Sequence, residues 1–163
     1  IELMREVYNK ETNKNPAYLL SKKIYQTLPV IYGENESLAI LAVRWKGQLS
    51  ENAKMLSYYN ELPEMNHNEI VAWGSADKKS HSDIYFSWEG LHPRVNDRLK
   101  WMLDEMSTES SWIINCEGHS LLECLLYAAH ITDWITIILA LIENKDPSEM
   151  APIVSLKKHL SSI

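Results

Sequence analysis

Short apolar runs alternate along this chain with longer stretches whose apolar residues recur every three or four positions. The runs predict three buried strands, at 28–33, 83–88 and 111–115. The periodic stretches predict helices at 17–25, from 37 past 49, at 94–106, at 120–141 and at 150–160, with one or two helical turns at 67–73. Strands that alternate with helices indicate a parallel sheet covered on both faces, with its active site at the carboxyl ends of the strands.

Capping and turn residues mark the ends of several elements. Asn15-Pro16 is typical of a helix start, because Asn caps the first turn and Pro fits its first position. His92-Pro93 and Ser120 also precede predicted helices. The polar residues 1–14 predict a helical segment and a turn, and 77–82 predicts a polar loop.

Composition limits the classes of function. The chain has 163 residues, 45% of them hydrophobic, which is enough for one domain with its own core. The net charge is −6, and the Lys and Arg residues are scattered along the chain rather than arranged as a stripe. Nucleic-acid binding needs clustered cations that neutralise phosphates, so no nucleic-acid partner is expected.

Apolar and cysteine patterns indicate the cellular compartment. The apolar stretch 131–142 is broken by Asp133 and is too short to span a bilayer, so no membrane contact is expected. No signal peptide is visible. Cys116 and Cys124 lie in apolar surroundings without metal-ligand spacing. These features predict a cytoplasmic protein with two buried, reduced thiols and no metal site.

No familiar glycine-rich phosphate loop is present. The chain contains only five glycines, and neither a GxGxxG nor a GxxxxGKS/T motif occurs. A nucleotide cofactor held by such a loop is therefore not expected.

The strongest candidates for chemistry are Glu51 and His67, which stand 16 positions apart in polar clusters. The intervening Leu62-Pro63-Glu64 predicts a turn that lets the two side chains converge on one site. A carboxylate and an imidazole are the usual groups of proton transfer. Taken singly, Glu51 also fits a solvated helix surface, and His67 also fits a residue at a helix start with no chemical role. Lys157-Lys158 also fits favourable charges at a helix end.

Several short motifs follow one another from about residue 15 to 160. In order they are Asn15-Pro16-Ala17, Leu28-Pro29-Val30-Ile31-Tyr32-Gly33, Arg44-Trp45-Lys46, Ser50-Glu51-Asn52-Ala53-Lys54, Leu62-Pro63-Glu64, His67-Asn68-Glu69-Ile70, Trp73, His92-Pro93-Arg94-Val95, Arg98, Asp133, Leu139-Ala140-Leu141, Asp146-Pro147, Ile153 and Leu156-Lys157. Together they resemble the C-terminal sugar isomerase (SIS) domain of the bifunctional phosphoglucose/phosphomannose isomerases. The resemblance implies an SIS-type three-layer α/β/α sandwich with a flavodoxin-like parallel sheet of four or five strands.

The resemblance also implies an activity, the interconversion of glucose 6-phosphate or mannose 6-phosphate with fructose 6-phosphate. Glu51 would be the base that moves a proton between C1 and C2 through a cis-enediol(ate). His67 would assist ring opening in the active site of the partner subunit, which implies a homodimer. Lys157 would contact the ring region, with Lys158 as the alternative. The resemblance implies neither a metal nor an organic cofactor.

Some features of the family are absent from this chain. The full-length relatives carry an N-terminal SIS domain that supplies the phosphate loops and the arginine that stabilises the enediolate. Ser50 stands where the family often has Asn, and Arg44 is better suited to anchoring its helix or an interface than to replacing the missing arginine. The chain would thus be one SIS domain, 1–163, of a two-domain protein. The alternatives are a sugar-phosphate-binding or regulatory SIS module without catalysis, and a structural dimerisation domain.

Overall fold

The computed structural model describes residues 14–162. Within that range, helices and strands alternate in the order α1 Pro16–Ile24, β1 Leu28–Glu34, α2 Ala39–Glu51, β2 Tyr58–Leu62, α3 Glu69–Trp73, β3 His81–Ser87, α4 Pro93–Glu105, β4 Trp112–Asn115, α5 Leu121–Ile142 and α6 Ala151–Leu160. A 3₁₀ turn, Glu64–Asn66, precedes α3. The prediction for 1–14 falls, except for Lys14, outside the described residues.

The four strands form one parallel sheet in the order β2-β1-β3-β4. This is the start of the flavodoxin-like strand order. Right-handed crossovers place α2 on one face of the sheet and α3 and α4 on the other, because the order reverses after β2. Helix α5 contacts both α1 and α2 and completes the first layer. The three-layer α/β/α fold is therefore confirmed.

The side chains of the two central strands fill the core on both faces of the sheet. Towards α2, Phe86 of β3 packs edge-on against Trp45, with ring centroids 6.0 Å apart. Towards α3, Tyr32 of β1 stacks on Tyr85, its direct neighbour in the β1–β3 register, at 5.0 Å. All four rings are almost fully buried, which fixes the sheet between its two helical layers.

Strand β2 was not predicted from the sequence, which indicated only a turn between Glu51 and His67. The strand lies at the edge of the sheet and pairs with β1 alone. Tyr58 and Tyr59 are 57% and 40% exposed, and only Leu62 is buried. The segment consequently lacks the alternation of a half-buried strand and the apolar run of a buried one.

Helix α5 is longer than the apolar stretch that the sequence indicated. At 22 residues with a mean hydropathy of 1.8, it is long and apolar enough to cross a membrane by length and composition alone. Length therefore does not exclude a membrane span, contrary to the sequence-based argument. Its packing gives a different reason for its apolar character, because Ala128, Ile135 and Leu139 are completely buried in the core. The Ile135 carbonyl also accepts a hydrogen bond of 3.3 Å from Ser21 of α1.

Both cysteines are free and buried, as predicted. Burial raises the pKa of the Cys116 thiol to about 12, so this group is not a nucleophile at neutral pH. Among residues 14–162, no group of three or more His, Cys, Asp or Glu side chains is placed to hold a metal ion.

Candidate active site

Glu51 is the last residue of α2 and lies on the wall of an open cleft of about 400 Å³. Its side chain is exposed, and its carboxylate makes no hydrogen bond within the described residues. The cleft is formed by the end of α2 and by the start of α6, and its lining comprises Ser50, Glu51, Lys54, Glu149, Met150, Pro152 and Ile153. A water-accessible carboxylate in a cleft of this size can reach the carbon-bound protons of a small substrate.

The cleft lies at the amino ends of the strands. Helix α2 follows β1 and returns antiparallel to it, so that Glu51 ends on the opposite side of the sheet from the carboxyl end of β1. The sequence had placed the active site at the carboxyl ends, as is usual for open parallel sheets. The cleft thus departs from that rule.

His67 lies at the opposite end of the strands from Glu51. It follows β2 directly, between the 3₁₀ turn and α3, and therefore lies near the carboxyl ends of the strands. Strand β2 separates it from Glu51, and five residues of strand span roughly 16 Å. The expectation that a turn lets Glu51 and His67 converge within one chain is wrong. The segment between them contains a strand, which runs parallel to β1 from the amino end of the sheet to its carboxyl end.

The segment that carries His67 is anchored to the sheet by a partly buried hydrogen-bond network. Glu69 accepts hydrogen bonds from the Tyr32 hydroxyl and, at 2.6 Å, from Asn60 Nδ2. The Trp73 indole N–H donates to the same Tyr32 oxygen at 2.6 Å. Burial and the neighbouring Glu69 carboxylate raise the pKa of Tyr32 well above its usual value, so the hydroxyl remains a donor.

Replacing Tyr32 with Phe should destabilise the protein without touching either candidate catalytic group. The substitution leaves the buried Trp73 N–H without an acceptor and removes one donor from Glu69, which costs about 1–3 kcal/mol. We expect the melting temperature to fall by about 2–12 °C in a thermal unfolding scan. The matched control is Tyr58→Phe at an exposed position, and equal melting temperatures for the two variants would contradict the anchoring role.

Lys157 lies on α6, whose residues are all exposed. It follows Ile153 of the cleft lining by four positions, which places the two side chains about 40° apart around the helix. Lys158 lies about 140° from Ile153 and points away from that side. Of the two lysines that the sequence left as alternatives, helical geometry therefore places Lys157 nearer to the cleft side of α6.

Arg44 anchors α2 to α5. Its guanidinium contacts both carboxylate oxygens of Asp133, at 2.7 and 3.2 Å, and also donates to Gln48 at 2.6 Å. The guanidinium N–H groups that an enediolate would need therefore already donate to Asp133. Arg44 thus has the anchoring role that the sequence indicated.

The loop between β1 and α2 is unsuited to a phosphate. It lies at the carboxyl end of β1, where α/β proteins commonly bind anions at the following helix. Here the buried Glu34, the last residue of β1, faces the loop, and its carboxylate accepts a hydrogen bond of 2.6 Å from Ser37. A Cβ at Gly33 would lie 2.5 Å from the Leu38 carbonyl oxygen, so the backbone is tightly closed. A carboxylate in a closed loop repels a phosphate instead of holding it.

Comparison with known proteins identifies the family. Residues 13–160 match the family described as the bacterial phospho-glucose isomerase C-terminal SIS domain. A bifunctional phosphoglucose/phosphomannose isomerase from Aquifex aeolicus is 32% identical over 156 residues, 93% of this chain and 48% of the relative. One from Thermoplasma acidophilum is 33% identical over 145 residues, 87% of this chain and 46% of the relative.

Structural comparison shows the same fold. A glucose-6-phosphate isomerase like protein from Thermus thermophilus superimposes with a TM-score of 0.72 at 18% identity, over 90% of this chain and 48% of that one. The chain spans about half the length of the curated relatives it matches. With the match over 13–160, this chain belongs to the family of bacterial phospho-glucose isomerase C-terminal SIS domains.

Proposed function

We propose that this chain supplies the proton-transfer and ring-opening groups of a sugar-phosphate aldose–ketose isomerase. The substrates would be glucose 6-phosphate and mannose 6-phosphate, and the product fructose 6-phosphate. The observation that carries the proposal is the exposed Glu51 carboxylate on the wall of the cleft, in a chain whose relatives are bifunctional phosphoglucose/phosphomannose isomerases.

Glu51 would act as the single base of the isomerisation. Its carboxylate takes the proton from C2 of the open-chain aldose, which leaves a cis-enediol(ate), and it returns a proton to C1 on the same side. The proton that the C2 hydroxyl loses equals the proton that the C1 oxygen gains, so the overall change is an isomerisation without oxidant or reductant, and no metal or organic cofactor takes part in the proposal. Lys157 shares a helix face with Ile153 and would place its ammonium group at the ring region of the sugar.

His67 would reach the Glu51 cleft of a second copy. Within one chain, the length of β2 separates the two residues. In a homodimer, the amino end of one sheet can lie beside the carboxyl end of the other. Helix α6 supports a partner at this side, because its large apolar residues are exposed in the described part of the chain. They are Ile153, Val154, Leu156 and Leu160.

The phosphate group would be held outside this chain's described residues. The acidic, closed β1–α2 loop argues against a phosphate site at that position, and the Arg44 guanidinium is occupied by Asp133. We assign the phosphate and the stabilisation of the enediolate to an N-terminal SIS domain, of which this chain would be the C-terminal counterpart. On this proposal the isolated chain turns over little substrate, and the complete protein is a cytoplasmic enzyme.

A coupled assay of the intact protein tests the function. We expect turnover of glucose 6-phosphate and mannose 6-phosphate to fructose 6-phosphate with a kcat of about 1–10³ s⁻¹. A non-catalytic sugar-phosphate-binding module would instead show a rise in melting temperature with sugar phosphate but no turnover. The absence of both effects would indicate a structural dimerisation domain and overturn the proposal.

A further inference from the structure

We infer that Lys54 is a positioning residue that holds the start of α6 over the Glu51 cleft. The inference rests on the proposed function, because the cleft is where Glu51 would meet its substrate. Lys54 is the last residue of the Glu51-Asn52-Ala53-Lys54 motif, and no chemical step has been assigned to it.

Helix α6 has few other attachments to the body of the protein. All ten of its residues are exposed, and none is buried against another part of the described chain. A helix of ten residues with so little packing is marginal on its own in water. Its position relative to Glu51 therefore depends on the few contacts at its start.

Lys54 supplies such a contact. Its ammonium group donates to the Glu51 carbonyl oxygen and to the Glu149 carbonyl oxygen, each at 2.6 Å. The first oxygen is one of the unpaired carbonyls at the end of α2, where a cation is favourable. The second belongs to the loop just before α6, so one side chain joins two segments that are 95 positions apart in sequence.

The backbone of Lys54 is also adapted to this contact. Its φ is +57°, in the left-handed region that non-glycine residues seldom adopt. This conformation turns the chain sharply after α2 and directs the side chain back towards both carbonyls. A helix cap alone would need only the Glu51 carbonyl. The second bond to Glu149 links the cap to α6, and thereby sets the distance between Glu51 and Lys157.

Lys54→Met in the intact protein tests the inference, since Met keeps much of the stem but cannot donate. We expect amide hydrogen exchange across 149–160 to become roughly tenfold faster, as the loss of a charge-assisted hydrogen bond allows. We also expect kcat/KM to fall roughly tenfold, because a displaced α6 misplaces groups around the substrate. Lys54→Arg, which keeps the positive charge and offers five N–H donors, should restore most of both properties.

The matched control is Lys145→Met in the loop between α5 and α6. Its ammonium pairs with Glu143 at 3.5 Å and does not line the cleft, so exchange across 149–160 should stay as in the wild type. Exchange in Lys54→Met that differs less than twofold from this control would overturn the inference. Amide hydrogen exchange can be measured without substrate turnover. It therefore tests the role of Lys54 even if the intact protein proves not to be an isomerase.

Discussion

Replacing Glu51 with Gln should abolish isomerase activity while the fold is unaffected. The amide is nearly isosteric but cannot take a proton from C2, and general base catalysis contributes about 10²–10⁴-fold to such reactions. We expect kcat to fall by about 10³–10⁴-fold with little change in KM, because an exposed carboxylate at the cleft wall contributes mainly to the proton transfer. A coupled assay with both sugar phosphates measures the effect. The melting temperature should stay within about 1 °C of the wild type, since surface substitutions seldom change stability much.

Glu105→Gln is the matched control for this experiment. Glu105 is likewise the exposed last residue of a helix of 13 residues, α4, but it is not part of the cleft lining. Its variant should keep wild-type kcat and KM. If Glu51→Gln retained activity comparable to that of Glu105→Gln, another group would be the base and the assignment would be wrong.

Replacing His67 with Asn should produce the second largest loss. The imidazole is exposed and makes no hydrogen bond within residues 14–162, so its removal should leave the fold intact. We expect kcat/KM for cyclic sugar phosphates to fall about 10²-fold, as a proton-transfer group for ring opening is lost. The residual rate would reflect spontaneous ring opening in solution.

A control with the same chemical change is His119→Asn, at an exposed position before α5. It should leave turnover unchanged. A His67→Asn variant with the turnover of the His119→Asn variant would show that the imidazole takes no part in the reaction.

Local sequence patterns determined most of the fold. The central strands β1 and β3 and the helices α1, α4 and α5 begin and end within about two residues of the predicted positions, because each buries an apolar run or face. Helix α6 also matches its predicted bounds, although none of its residues is buried. Strand β2 could not be predicted in this way. Its exposed Tyr58 and Tyr59 owe their extended conformation to pairing with β1, which is a non-local interaction.

The candidate site could be predicted only in part from the sequence. The motifs around Glu51 and His67 could be recognised, but their separation could not, because it depends on the unpredicted β2. Lys54 stood inside a recognised motif without an assigned role, and its contact with Glu149 crosses 95 positions. The link from Glu69 to Tyr32 likewise joins residues distant in the chain and gives no periodic signal.

Mixing two strongly impaired variants tests most directly whether two copies share each active site. Glu51→Gln and His67→Asn versions of the intact protein, carrying different affinity tags, are unfolded and refolded together, and the doubly tagged dimers are isolated. Each such dimer holds one site with both substitutions and one site with neither, because the two sites are related by a twofold axis. We expect the doubly tagged dimers to recover about half of the wild-type specific activity, and the unseparated mixture about a quarter. Doubly tagged dimers as inactive as their parents would contradict a site built from Glu51 of one copy and His67 of the other.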